Sequence, residues 1–159
     1  MLDRFVMQNY EEPDSPKFEG SYSATAAQFG GVITAVSYNI NFAEFIDEAI
    51  EDLRQIPPAD VVLLQEMDEE GTDRVAQALK MDYVYYPASV HKHNKNFGNA
   101  ILTRWPILRT QKLILPRRHP ANQQMRIATK ARLDVGGTAV CVYSVHTEVY
   151  LTSRQYRRD

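Results

Sequence analysis

The chain has 159 residues with 20 acidic and 18 basic side chains, a net charge of −2, which suits one domain and supplies no global basic field for nucleic acid. A single cysteine excludes a disulfide framework, and no Cys/His spacing of a zinc site occurs. No apolar run reaches the ~20 residues of a membrane span, and the N-terminus has acids and prolines where a secretory signal is apolar, so a cytoplasmic protein is expected.

Residues 1–30 are polar, with Pro13, Pro16, Gly20 and Gly30-Gly31 as punctuation. They read as a loosely held arm without its own core, and residues 31–159 as the domain. From Val32 to Ile40 apolar and polar positions partly alternate, which predicts a strand with Asn39 near its end. An asparagine there suits a turn as well as a site. Asn41 and Glu44 resemble a helix-capping pair, and Phe45, Ile46, Ala49, Ile50 and Leu53 follow on one helical face. Pro57-Pro58 must end that helix.

The run Val61-Val62-Leu63-Leu64-Gln65-Glu66-Met67 predicts an interior strand that delivers Glu66 to its C-terminal rim. The same acid would also suit the start of the next helix, expected over Glu69 to Lys80. Tyr83 to Tyr86 predicts a short strand closed by Pro87. A cationic loop follows with His91, Lys92, His93 and Lys95, then a strand from Gly98 to Thr103 broken at Trp105-Pro106. Ile107 to Leu115 predicts an extended piece, and Arg117-Arg118-His119 a basic turn. Along Met125 to Val135 the odd-numbered residues Met125, Ile127, Thr129, Ala131, Leu133 and Val135 share one face, which leaves Arg126 on the other. Gly136-Gly137 predicts a tight hairpin into Thr138 to His146, where Cys141 is expected to pack as a small apolar thiol. A last helix is expected from Thr152 or Ser153.

Tyr38-Asn39-Ile40, Leu64-Gln65-Glu66, the run Gly-Asn-Ala-Ile-Leu-Thr-Arg-Trp-Pro-Ile at 98–107, Arg126, and Ser144-Val145-His146-Thr147-Glu148 with Arg154-Gln155 occur in an order that resembles the endonuclease/exonuclease/phosphatase superfamily. The resemblance implies an α+β fold, the DNase-like α/β/β/α sandwich, here truncated to roughly its N-terminal half. It further implies a phosphodiesterase or phosphomonoesterase that uses Mg²⁺ or Mn²⁺. Residue by residue, Glu66 and Asn39 would serve the metal, His146 would contact the phosphate in the transition state, and Asn99 and Arg126 would support substrate binding. One carboxylate at a strand end agrees with a hard cation that keeps most of its waters. A strand-end histidine can also simply bond a neighbouring backbone group, and Arg126 can be a solvated cation.

Two family segments, an Asp-x-Asn and a later Ser-Asp-His, have no counterpart, since Asp134 and Asp159 are the only aspartates after Asp82 and no histidine follows His146. The resemblance therefore places the general base and remaining metal contacts outside this chain. Little or no activity of the chain alone is expected, together with a largely absent second sheet and an open apolar face on the first. A half-domain serving as a binding or complementation module is the alternative. The cations at 91–95 and 117–119 make a nucleic-acid substrate possible, beside lipid or small phosphodiesters.

Overall fold

The computed structural model describes residues 8–91 and 94–147. Eight strands and two helices form two facing sheets with helices on one outer side. The elements are β1 (Phe18–Gly20), β2 (Ala35–Asn39), α1 (Ile46–Gln55), β3 (Val61–Met67), α2 (Glu69–Leu79), β4 (Asp82–Val90), β5 (Asn96–Thr103), β6 (Ile107–Ile114), β7 (Ile127–Val135) and β8 (Thr138–Val145). The first sheet has the order β1-β4-β5-β3-β2 and the second β6-β7-β8. Among the described residues only β2 and β3 pair in parallel, so both carry their C-termini to the same rim. This is the expected DNase-like layering, with three layers among the described residues.

Alternation sorts the two cores. Val62, Leu64, Tyr85, Ala100 and Leu102 face outward beneath Ile46, Ala49, Ile50 and Leu53 of α1 and Val75 and Ala76 of α2. The neighbouring residues Val61, Val84, Tyr86 and Ile101 face inward and meet Ile127, Ala131, Leu133 and Val135 of β7. The expectation of an open inner face is thus corrected: Val84 and Ile101 are fully buried, because β6–β8 is itself the second sheet. Pairs Thr129↔Ser144, Ala131↔Val142 and Leu133↔Val140 put Ser144, Val142 and Val140 on the inner side of β8. Cys141 consequently faces out and is exposed, contrary to its expected burial. The β7–β8 hairpin does turn at Gly136-Gly137, with φ of 58° and 85° that favour glycine.

Helix ends differ from expectation. The acid that caps α2 is Asp68 and not Glu66: Asp68 accepts from the Gly71 N–H at 2.7 Å, and Lys80 ends the helix in the left-handed conformation. At α1, Asn41 and Glu44 form no capping box. Asn41, Phe42 and Ala43 instead take φ of 46°, 62° and 54°, and the helix starts at Ile46 with Phe45 exposed. β4 also runs past Pro87 to Val90, since a bulge between Pro87 and Ser89 tolerates the missing N–H.

Residues 8–27 are held more firmly than a loose arm. β1 pairs with β4, Asn9 bonds the backbone of Gln123 and Met125, and the Trp105 indole donates to Ala27 at 3.0 Å. The Lys112 ammonium, buried at the side of the sandwich, donates to the Tyr10 and Ser15 carbonyls at 2.9 and 2.7 Å, and burial pushes its pKa down. Burial alone would raise the Asp82 carboxyl, but bonds from Ser23, Ser21 and Tyr22 prevail and hold it below its ordinary value.

The feature that aims the site is a break in β3. Gln65 pairs with Asn99 and Met67 with Gly98, so Glu66 is an extra residue, a bulge, with φ of 59°. Regular alternation would send Glu66 outward under α2. The bulge gives that outward place to buried Met67 and turns Glu66 along the rim. Gly98 makes this close packing possible: a Cβ there would lie 2.1 Å from the Tyr86 carbonyl oxygen and 2.6 Å from Pro87 Cα.

Three outcomes follow in unfolding experiments. Gly98→Ala loses about 2 kcal/mol or more in denaturant melts, because backbone atoms must move. Glu66→Gly is more stable than Glu66→Ala by roughly 1 kcal/mol, since only glycine relieves the left-handed conformation. Asp82 stabilises the fold above the unfolded pKa of about 3.9 and loses that contribution as pH falls through its lower folded value, so the stability gap between wild type and Asp82→Asn narrows below about pH 4.

Candidate active site

Three of the expected residues meet at the rim where β2, β3 and β8 end. Asn39 Nδ2 donates to Glu66 Oε1 at 2.8 Å, and His146 Nε2 lies 3.6 Å from the same oxygen. The first is a hydrogen bond; the second is an electrostatic contact too long to be one. The side chains of Glu66 and His146 are only 14% and 16% exposed, so both are largely enclosed by the protein. Asn39 Oδ1 accepts from the Asn41 N–H at 2.9 Å, which fixes which way the amide points and leaves that oxygen one lone pair. Among the described residues both of these contacts fall on Oε1, so Oε2 is the Glu66 oxygen that could hold an ion.

A buried polar clasp below the rim holds this arrangement. Gln65 Nε2 donates to Ser144 Oγ at 3.1 Å, and Ser144 Oγ donates to the Leu64 carbonyl at 2.9 Å. Asn99 Nδ2 donates to the carbonyls of Ile127 and Ser144 at 2.9 and 3.2 Å, while Thr129 Oγ1 donates to the Asn99 carbonyl at 2.9 Å. These groups sit between the sheets, where an unmade bond costs ~1–3 kcal/mol, so the clasp fixes the end of β8 and with it His146. Asn99, expected at the substrate, spends both amide hydrogens here, 1% exposed.

Arg126 lies one ring further out. Its guanidinium stands 5.7 Å from the Phe97 centroid and donates to Gln124 Oε1 at 3.1 Å, and Phe97 lies 5.9 Å from the His146 ring. Phe97 was not anticipated as a site residue. Its one signal was position, directly before Gly98 at the mouth of β5. The role of Ser144 was equally hidden, because a serine between Tyr143 and Val145 in a strand reads as sheet filler.

Much of the expected cationic surface is already committed. Lys95 pairs with Asp68 at 3.0 Å, Arg118 pairs with Glu11 at 2.8 Å, and His91 stacks on Phe42 with centroids 4.4 Å apart. Lys92, His93, Glu148, Arg154, Gln155 and the expected final helix lie outside the described residues. Among the described residues no group of three or more His, Cys, Asp or Glu gathers to cage a metal, and no helix is long and apolar enough to cross a membrane. Glu66 and Asn39 offer one hard carboxylate and one amide oxygen at an open rim. That donor set fits an ion that keeps several waters, and does not fit zinc.

Solved structures share this fold. A humanized D. rerio TDP2 superposes with a TM-score of 0.62 at 17% identity, covering 79% of this chain and 54% of its own length. An endonuclease/exonuclease/phosphatase family protein from Leptotrichia buccalis gives 0.57 at 14% identity over 80% and 64%. ANGEL2, a 2',3'-cyclic phosphatase, gives 0.56 at 14% identity over 94% and 46%. This chain thus spans about half to two thirds of those structures. No curated protein sequence is significantly similar to it. The endonuclease/exonuclease/phosphatase family model matches residues 36–159, a span that contains β2, β3, β5 and β8 with their rim residues, and the chain belongs to that family.

Proposed function

We propose that the chain carries the metal and phosphate side of a hydrolytic phosphoesterase site that uses Mg²⁺ or Mn²⁺. The observation that supports this reading is the meeting of Asn39 and His146 on one oxygen of Glu66 at the rim. Glu66 would hold the ion through Oε2, with Asn39 orienting the carboxylate and offering a second oxygen. Such an ion, when bound, neutralises charge on the phosphoryl and leaving oxygens during in-line attack by water. His146 donates to a phosphate oxygen, an interaction commonly worth ~3 kcal/mol in the barrier. Arg126 contributes a fixed positive charge behind Phe97, and Asn99 acts from beneath by holding β8. The base that activates water belongs to the part of the related domains that this chain does not span, so the chain alone turns over little or nothing. Substrates are phosphate esters, with nucleic acid among them.

One observation favours a second reading, a binding or complementation module. The described residues bury a core between the two sheets that includes Val61, Val84, Ile101, Ile127 and Leu133, as a folding unit requires.

Titration of the chain with Mn²⁺, followed by electron paramagnetic resonance, separates the two. Binding weakens at least tenfold in Glu66→Gln, which keeps the oxygen that accepts from Asn39, and stays within about twofold in His146→Ala. His146→Ala instead weakens binding of orthovanadate, and bis-p-nitrophenyl phosphate is not hydrolysed above background. Mn²⁺ affinity indifferent to Glu66→Gln would remove the metal site and leave the module.

A further inference from the structure

A cavity of about 290 Å³ opens beside the rim, lined by Phe42, Ala43, Glu44, His91, Lys95, Asn96 and Phe97. Its aromatic wall is continuous. Phe42 stacks on His91 at 4.4 Å with planes 26° apart, His91 lies 5.4 Å from Phe97, and Phe42 lies 5.5 Å from Phe97. Phe97 in turn touches the His146 ring, so the cavity and the phosphate position share one wall. The polar wall is braced from behind. Lys95 is held by Asp68 at 3.0 Å and the Asn96 amide by Glu69 at 2.9 Å, with Tyr10 donating to Asn96 Oδ1 at 2.8 Å.

The strained backbone belongs to the same feature. Three consecutive residues in the left-handed region, Asn41 to Ala43, interrupt the chain between β2 and α1. A direct entry into α1 would have avoided their cost, and strain of this kind persists where the surrounding structure enforces it. Here it sets Phe42 against His91. Glu44 at the lip is exposed and carries the only carboxylate among the lining residues, an acceptor for an exocyclic amine.

We propose that this cavity is a ring-binding subsite that takes the nucleobase of a nucleotide whose phosphate lies at Glu66 and His146. The proposal rests on the phosphoesterase reading for the position of that phosphate. The volume is at the small end of ligand pockets, ~300–1,000 Å³, which admits one ring system and leaves the sugar and phosphate outside, toward the rim. Planar bases stack on aromatic side chains with little regard to sequence, and the cavity would therefore add affinity more than base identity.

The test compares binding of AMP and ribose 5-phosphate to the chain with Mg²⁺ present, by NMR titration. AMP is expected to bind at least tenfold tighter, and that advantage is expected to vanish in both Phe42→Leu and His91→Ala, each checked for an unchanged thermal melt. Equal affinity of the two ligands in the wild type, or an advantage that survives in either folded variant, overturns the subsite. Glu66→Gln should weaken both ligands together and leave their ratio intact. If Glu66→Gln changes neither, the phosphoesterase reading fails while an AMP advantage dependent on Phe42 still supports the ring site.

Discussion

One dislocation in β3 decides where the carboxylate of Glu66 points. Had the strand run on with strict alternation, the carboxylate of Glu66 would point into the apolar layer beneath α2, where a charge is costly and far from Asn39 and His146. The inserted residue turns it along the rim at the cost of a left-handed backbone on a non-glycine residue. Gly98 on β5 pays the geometric side of that arrangement, since its lack of a side chain lets β4 and β5 close around the irregular register.

The rim also needs the second sheet to stay in place. A carboxylate held by an amide on the neighbouring parallel strand is fixed within one sheet, whereas His146 arrives from the other. Gln65, Ser144, Asn99 and Thr129 tie the two together with hydrogen bonds made in the dry interior. Burial makes each bond expensive to break, and a chain of them moves as a unit. The position of His146 beside Glu66 is therefore set by residues buried beneath the rim.

Local pattern made a good part of this legible. The apolar run of β3 and the strict alternation of β7 each have one low-energy arrangement, so Glu66 at a rim and Ile127, Ala131 and Leu133 inside could be read without coordinates. What escaped were effects of register and competition. The bulge depends on how β3 pairs with β5, which no window of β3 contains. The capping pair Asn41 and Glu44 was plausible by spacing, yet the chain uses Asn41 to anchor Asn39 and delays the helix to Ile46. Cys141 looked buried because its neighbours are apolar, but pairing with Arg132 puts it on the outward face. The arm, read as mostly polar, gave no sign that its carbonyls would receive a buried lysine.

The account depends most on the direction of one carboxylate. Crystals soaked in Mn²⁺ and measured at the manganese absorption edge report it directly. It predicts an anomalous peak about 2.0–2.2 Å from Glu66 Oε2, with the Asn39 amide still donating to Oε1 and His146 on the same side. A peak elsewhere, or a Glu66 side chain turned under α2, would contradict it.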